Sequence, residues 1–308
     1  MIFGRRIEPR RLLSAGLGFM KLLVGLRRVR RPVSVLRHYL NQTSPEYVDL
    51  RSGHRFYFSS HPHDLVSFCL VFLKEEYGQI ERNDVVIDVG ANIGSFTIYA
   101  AIAGAKKVYS FEPSLEAFET LSRNVAVNQL ADVVTPIHKA VTGRSSDVIP
   151  FPLKSSPFNT LVTNTSHEIP MDKLSDALQE HILATASGSG VRYEDVSTIS
   201  LSDFLADEGI PYVDFVKMDC EGAELLILPA LTATTMSRIG KIRMECHVGP
   251  VLLIGSLRPD THIVERQRED ALWLVPAAER LPARESNAAR LAQASSTQSI
   301  PADTSSAQ

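Results

Sequence analysis

The rhythm of hydrophobic and polar positions changes several times along the chain, and the changes mark its elements. Val85, Val86, Ile87 and Val89 form a short apolar, β-branched run, as expected of a strand buried on both faces of a parallel sheet. Asp88 interrupts the run near its end, where such a strand approaches the mouth of the sheet. Gly90 and Gly94 bracket a turn, and residues 95–103 read as a helix. Strand, glycine turn and helix make the first half of a doubly wound α/β unit, whose ligand sits beyond the carboxyl ends of the strands. Residues 107–112 then read as a second strand, 115–128 as a helix and 133–141 as the region of a third strand. A fourth strand, turn and helix follow within residues 213–228, and a fifth strand within 241–247.

Outside this alternation the pattern is less regular. Residues 46–58 read as a hairpin turning at Arg51-Ser-Gly-His54. Asp64 sits where it would cap an apolar helix over residues 65–74. His61-Pro-His63-Asp64 has no third metal ligand at suitable spacing nearby, so no metal site is expected. Residues 143–196 carry Pro150, Pro152, Pro157, Pro170 and a Ser/Gly cluster at 187–190, which points to an insertion of irregular or short hairpin structure. Such an insertion serves as a lid or recognition segment, or as surface elaboration. Beyond Gly249 residues 271–275 are the one further strand candidate, and from 277 the composition is that of a disordered tail. The expected layout is therefore a basic helical extension (1–45), an α/β domain with its insertion (46–276) and a tail (277–308).

Charge changes the picture at the front end. The net charge is −3, yet residues 1–40 hold ten Lys and Arg against Glu8, leaving −12 for the remainder. Residues 11–26 resemble a secretory leader, but Lys21 splits the apolar run and Arg27, Arg28, Arg30 and Arg31 stand where a cleavage site belongs. The run is also too short to span a bilayer. A basic amphipathic helix remains, packed on the domain with a solvated face or laid on an anionic membrane surface. The three cysteines, Cys69, Cys220 and Cys246, are odd in number and lack metal-ligand spacing, which fits a reducing, cytoplasmic setting. Cys220 and Cys246 fall near strand ends, where one of them could border a site.

The glycine turn narrows the ligand. A dinucleotide turn reads Gly-x-Gly-x-x-Gly, but here Asn92 replaces the middle glycine and would intrude where a pyrophosphate must lie. The turn suits a nucleoside with an uncharged or cationic arm, which favours S-adenosylmethionine over a nicotinamide cofactor. Glu112 ends the second strand, where a carboxylate can accept both hydroxyl protons of an adenosine ribose. No acid follows the third strand in Ile137-His-Lys-Ala-Val141, so the adenine contact is unassigned. At the tip of the fourth strand, Asp219-Cys-Glu221-Gly-Ala-Glu224 gathers three carboxylates. Asp219 and Glu221 share a side if strand geometry continues through them, whereas Glu224 suits a helix start.

Four blocks carry a resemblance: Asp-Val-Gly-Ala-Asn-Ile-Gly at 88–94, Phe-Glu-Pro at 111–113, Ile-Ser-Leu-Ser-Asp-Phe-Leu at 199–205, and Asp-Phe-Val-Lys-Met-Asp-Cys-Glu-Gly-Ala-Glu at 214–224. Together they resemble the FkbM family of S-adenosylmethionine-dependent methyltransferases. The resemblance implies a Rossmann-like doubly wound sheet of the class I methyltransferase type, with C-terminal strands that are incomplete or divergent in this sequence. It implies methyl transfer to a hydroxyl of a sugar or small metabolite, so the expected partner is a small-molecule or glycan substrate and not nucleic acid. Gly90, Asn92 and Gly94 would line the methionine arm, with Asp88 at their base. Glu112 would hold the ribose, and Asp219 would lie near the cofactor's amino end.

Glu221, Glu245 and His247, at the tips of the fourth and fifth strands, are the candidate bases for deprotonating an alcohol. The competing reading is a non-catalytic adenosine-binding module whose front end serves a partner or a membrane surface. A nicotinamide oxidoreductase ranks third because of Asn92.

Overall fold

The computed structural model describes residues 20–59, 61, 63–145, 148–153, 192–246, 253–254, 257, 260–267 and 271–277. A helical turn over residues 20–25 and the helix α1 (Pro32–Leu40) open the described chain. The hairpin β1 (Tyr47–Asp49) and β2 (Arg55–Tyr57) follows, turning through Gly53 at φ 95°. Next comes α2 (His63–Phe68), which widens into a π-helical turn over Cys69–Leu73. The alternating core then runs β3 (Val85–Val89), α3 (Ser95–Ala103), β4 (Lys107–Phe111), α4 (Leu115–Val127) and β5 (Val134–Ile137).

Short strands β6 (Ala140–Thr142), β7 (Ile149–Leu153), β8 (Arg192–Val196) and β9 (Thr198–Ser200) follow. The chain continues through α5 (Leu201–Asp207), β10 (Val213–Met218), α6 (Glu224–Ala230), α7 (Ala233–Ser237), β11 (Ile239–Glu245), β12 (His262–Gln267) and β13 (Ala271–Pro276).

Seven strands form one sheet in the order β12-β13-β11-β10-β3-β4-β5. The five from β11 to β5 are parallel, and β13 runs antiparallel to both neighbours. This is the doubly wound arrangement expected from the sequence, and it is complete at its C-terminal end. The expectation of missing strands is thus corrected: β12 is present, at the edge. Its polar, half-exposed sequence His-Ile-Val-Glu-Arg-Gln lacks the apolar run by which a central strand is recognised.

Alternating side chains of the central strands feed two cores. Ile87 and Val89 pack with Val216, Met218 and Leu205 on one face, while Val86 and Phe215 pack with Ile98 and Leu121 on the other. Each of these fully buried side chains contributes roughly 1.5–3 kcal/mol relative to exposure. The second core also takes Leu22, Leu26, Val29 and Val35, so the described part of the front end is packed on the domain. Among the described residues no helix is long and apolar enough to cross a membrane. Leu12, Leu13 and Phe19 lie outside the described residues.

Several local readings are refined. Asp64 lies within the first turn of α2 and caps nothing there; its Oδ2 accepts from the Ser59 amide at 2.8 Å and the Ser59 hydroxyl at 2.5 Å. The third strand is split into β5 and β6 by His138 and Lys139, and β6 pairs with β9 outside the main sheet. The insertion is closed at its base by the antiparallel β7–β8 pair, and residues 154–191 lie outside the described residues.

The hairpin is fixed to the core by amides. Asn124 on α4 and Asn128 just past its end, one turn apart, exchange backbone hydrogen bonds with β2 as a neighbouring strand would: Asn124 with both polar groups of Tyr57, Asn128 with both of Arg55. Asn124 Nδ2 also donates to the Ile93 carbonyl at 2.9 Å, tying the hairpin to the glycine turn.

Candidate functional site

The carboxyl ends of β3, β4 and β10 meet where the strand order reverses, with β3 between the other two. That is the crevice in which ligands of doubly wound sheets bind. Val89 is followed by Gly90 at φ 73°, Asn92 at φ 49° and Gly94 at φ 91°, three left-handed residues that coil the chain tightly before α3. The turn hangs on β4: the amides of Gly90 and Ala91 both donate to the Phe111 carbonyl, at 3.1 and 2.9 Å. Gly90 is also required for a steric reason. A Cβ there would lie 2.0 Å from the Asp219 carbonyl oxygen, so its absence allows the tips of β3 and β10 to touch. The missing Cβ of Gly94 makes room for Leu121 of α4, not for the strand.

Glu112 projects from the end of β4 into this crevice. Its Oε2 accepts from the Asn92 amide at 2.7 Å and its Oε1 from the Ser114 amide at 2.8 Å. Burial pushes its carboxyl up to about 7, against the stabilising pull of those two amides and of Lys217. Each oxygen retains acceptor capacity beyond its one amide. The glycine turn and Glu112 thus form a single unit.

Beneath the turn lies an ion cluster that the sequence reading did not assemble. Lys217 is in register with Asp88 across β10 and β3, and the two fully buried side chains face each other at 3.2 Å under α3. Thr97 of α3 donates to the other Asp88 oxygen at 2.7 Å. Lys217 Nζ also donates to the Gly90 carbonyl at 2.7 Å and lies 3.7 Å from Asp219. Burial works against its charge, but Asp88 and Asp219 together outweigh burial and hold its pKa above the ordinary lysine range. Asp88 therefore anchors the turn from below through Lys217. A lone lysine inside the apolar run Val213–Met218, in phase with a buried aspartate, was the available signal.

Tyr77 completes the cluster from the loop before β3. Its hydroxyl donates to Asp219 Oδ2 at 2.8 Å and stands 3.5 Å from Glu245 Oε2, linking the tips of β10 and β11. Burial first, then the nearby Asp219 and Glu245 carboxylates, drive its pKa well above the usual phenol value. Its separation of 142 residues from Asp219 left no mark in the local pattern.

The carboxylates after β10 divide. Strand geometry stops at Met218, and Glu221 sits in a left-handed turn at φ 53°, so the expected common side for Asp219 and Glu221 is not formed by strand alternation. Glu224, fully buried at the start of α6, accepts from the Cys220 amide at 2.9 Å and its thiol at 3.3 Å, the helix-start role. Cys220 borders the turn, close to where a Gly90 Cβ would lie, and burial together with Glu224 drives its thiol pKa far up. Cys246 is buried beyond the tip of β11. His247 lies outside the described residues.

The strand order and the crevice define a Rossmann-like fold of the class I methyltransferase type. The sequence model of the methyltransferase FkbM domain matches residues 88–252, and the chain belongs to that family. Methyltransferase sdnD of Sordaria araneosa is 30% identical over 169 residues, which are 50% of this chain and 62% of that protein. The hexuronic acid methyltransferase AglP of Haloferax volcanii is 25% identical over 198 residues, 62% of this chain and 70% of AglP. A crystal structure of a methyltransferase FkbM from Methylobacillus flagellatus aligns at 15% identity with a TM-score of 0.38, covering 80% of this chain and 59% of that one. The chain thus spans a little under two thirds of sdnD and of that solved chain.

Proposed function

We propose that the protein transfers a methyl group from S-adenosylmethionine to a hydroxyl oxygen of a sugar or other small metabolite. The observation that carries this reading is Glu112, buried at the tip of β4 and fastened to the Asn92 amide of the glycine turn. The donor set fits the cofactor. Glu112 offers acceptor capacity for ribose hydroxyls, Asp219 offers an anion for an ammonium group, and Asn92 in place of the middle glycine disfavours a pyrophosphate. In this account Asp88, Gly90, Asn92 and Gly94 shape the methionine side. Lys217 lends its charge to Asp88 and the Gly90 carbonyl.

When bound, the cofactor supplies a methyl group on a positively charged sulfur. The chain's own task is to hold the acceptor hydroxyl in line, exclude water and take its proton. Glu245 is the favoured base, because it stands at the tip of β11 with Tyr77 between it and Asp219. Glu221 and His247 are the other candidates. The hexuronic acid named for AglP supports a carboxylated sugar as an acceptor class. The test is incubation of the protein with S-adenosylmethionine and a panel of sugars, uronic acids and hydroxylated metabolites, read by mass spectrometry. A methyl ether formed by the wild type and lost with Glu245→Gln supports the reading. Methylation at nitrogen or carbon alone overturns it.

A further inference from the structure

Away from the strand tips, a cavity of about 520 Å³ opens between the front end, the hairpin and the C-terminal end of α3. Because α3 runs antiparallel to β3, this places the cavity at the opposite end of the sheet from Glu112 and Asp219. Its floor is apolar, built on Phe72, Tyr99, Ile102 and Ala103. Its rim is cationic, carrying Arg27, Arg28 and Arg51 against a single acid among the described residues, Glu75. Arg28 already satisfies Glu75 in an ion pair and donates to the Phe72 carbonyl at 2.7 Å. Arg51 spends its Nε on the Val29 carbonyl at 3.2 Å, and Arg27 is exposed. Among the described residues, two guanidinium charges are therefore left over at the mouth of an apolar hollow. A second cavity of about 480 Å³ shares Arg28, Glu75 and Gln79 as a wall and is lined further by Val24 and Trp273.

We propose that this hollow binds a single-chain anionic amphiphile, with a carboxylate or phosphate head on Arg27 and Arg51 and an apolar tail along Phe72, Tyr99 and Ile102. The volume is in the range of about 300–1,000 Å³ typical of small-molecule sites, which are apolar with a few placed polar groups. Planar guanidinium groups match carboxylate and phosphate oxygens. Charge also argues against the chain's own residues 1–19 as the occupant. They carry Arg5, Arg6, Arg10 and Arg11 against Glu8 and would be repelled by the rim.

Isothermal titration of the full chain with dodecyl phosphate, below its micelle concentration, tests the proposal beside inorganic phosphate and dodecyl maltoside. Saturable one-to-one binding is expected, weakened about tenfold or more by Arg27→Gln with Arg51→Gln. Ala103→Phe should block binding by filling the floor, and a circular-dichroism melt checks that this variant still folds. Inorganic phosphate binding as tightly would mean a free-anion site, and dodecyl maltoside binding as tightly would mean a merely greasy one. Either result overturns the proposal. So does the absence of saturable binding, the outcome if residues 1–19 cover the hollow.

Discussion

Gly90 and Asp219 touch: a Cβ on Gly90 would stand 2.0 Å from the Asp219 carbonyl oxygen, with Gly90 at φ 73°. Two strand tips more than a hundred residues apart in sequence depend on one missing methyl group. Gly90→Ala should therefore lower the melting temperature by several degrees, since the left-handed backbone alone costs about 1–2 kcal/mol and the clash adds to it. Were Gly90 only part of the ligand's path, the variant would fold normally and merely fail to bind. A thermal melt on Gly90→Ala separates the two, and an unchanged transition would restore the simpler view.

Lys217 is the next test, because it faces Asp88 in a site from which water is excluded. Lys217→Met leaves a buried carboxylate without its cation and should cost about 3–5 kcal/mol of unfolding free energy. Adding Asp88→Asn should recover part of that loss, since the orphaned charge is then gone. Urea titration of the two variants measures both steps, and additive losses would show that the pair is not coupled.

The pH dependence of ligand affinity follows from Glu112, whose carboxyl is raised by burial from an ordinary 4.5 to about 7. The folded chain thus holds this proton more tightly than the unfolded chain does. Its contribution to stability is most favourable below about 4.5, declines as pH rises, and levels off above 7. Binding that uses the ionised carboxylate has the opposite sign, and affinity should fall by up to about tenfold per pH unit below 7. Titration calorimetry between pH 5.5 and 8.5 on the wild type and Glu112→Ala reads this directly. A flat wild-type profile would remove Glu112 from the binding site.

Tyr77→Phe removes the hydroxyl that bridges Asp219 and Glu245, while the ring keeps its edge contact with Phe96. A hydrogen bond to a charged group is worth about 1.5–3 kcal/mol. Cofactor affinity should fall by that order while the melting temperature moves by only a few degrees. The opposite pattern, lower stability with unchanged affinity, would make Tyr77 a packing residue.

What could be read from the sequence was what is local. The β3–turn–α3 unit and Glu112 were legible because β-branched runs, glycine spacing and a strand-ending acid lie within thirty residues of one another. Asp88 was legible as a polar break in an apolar strand, but its partner was not, because strand register is a property of the assembled sheet. Tyr77 escaped for the same reason: nothing near residue 77 announces a carboxylate on β10. The shared side of Asp219 and Glu221 was conditional on strand geometry, which ends at Met218, before the left-handed turn at Glu221. β12 was missed because an edge strand with one face in water loses the hydrophobic run that identifies its neighbours.

The central claim is that the tips of β3, β4 and β10 hold S-adenosylmethionine, and the most direct measurement is calorimetric titration of that compound into the full chain at pH 8. One-to-one binding is expected, weakening by about 1.5–3 kcal/mol in Glu112→Ala, with no comparable binding of NADH. Absence of S-adenosylmethionine binding, or binding that Glu112→Ala leaves untouched, would contradict it.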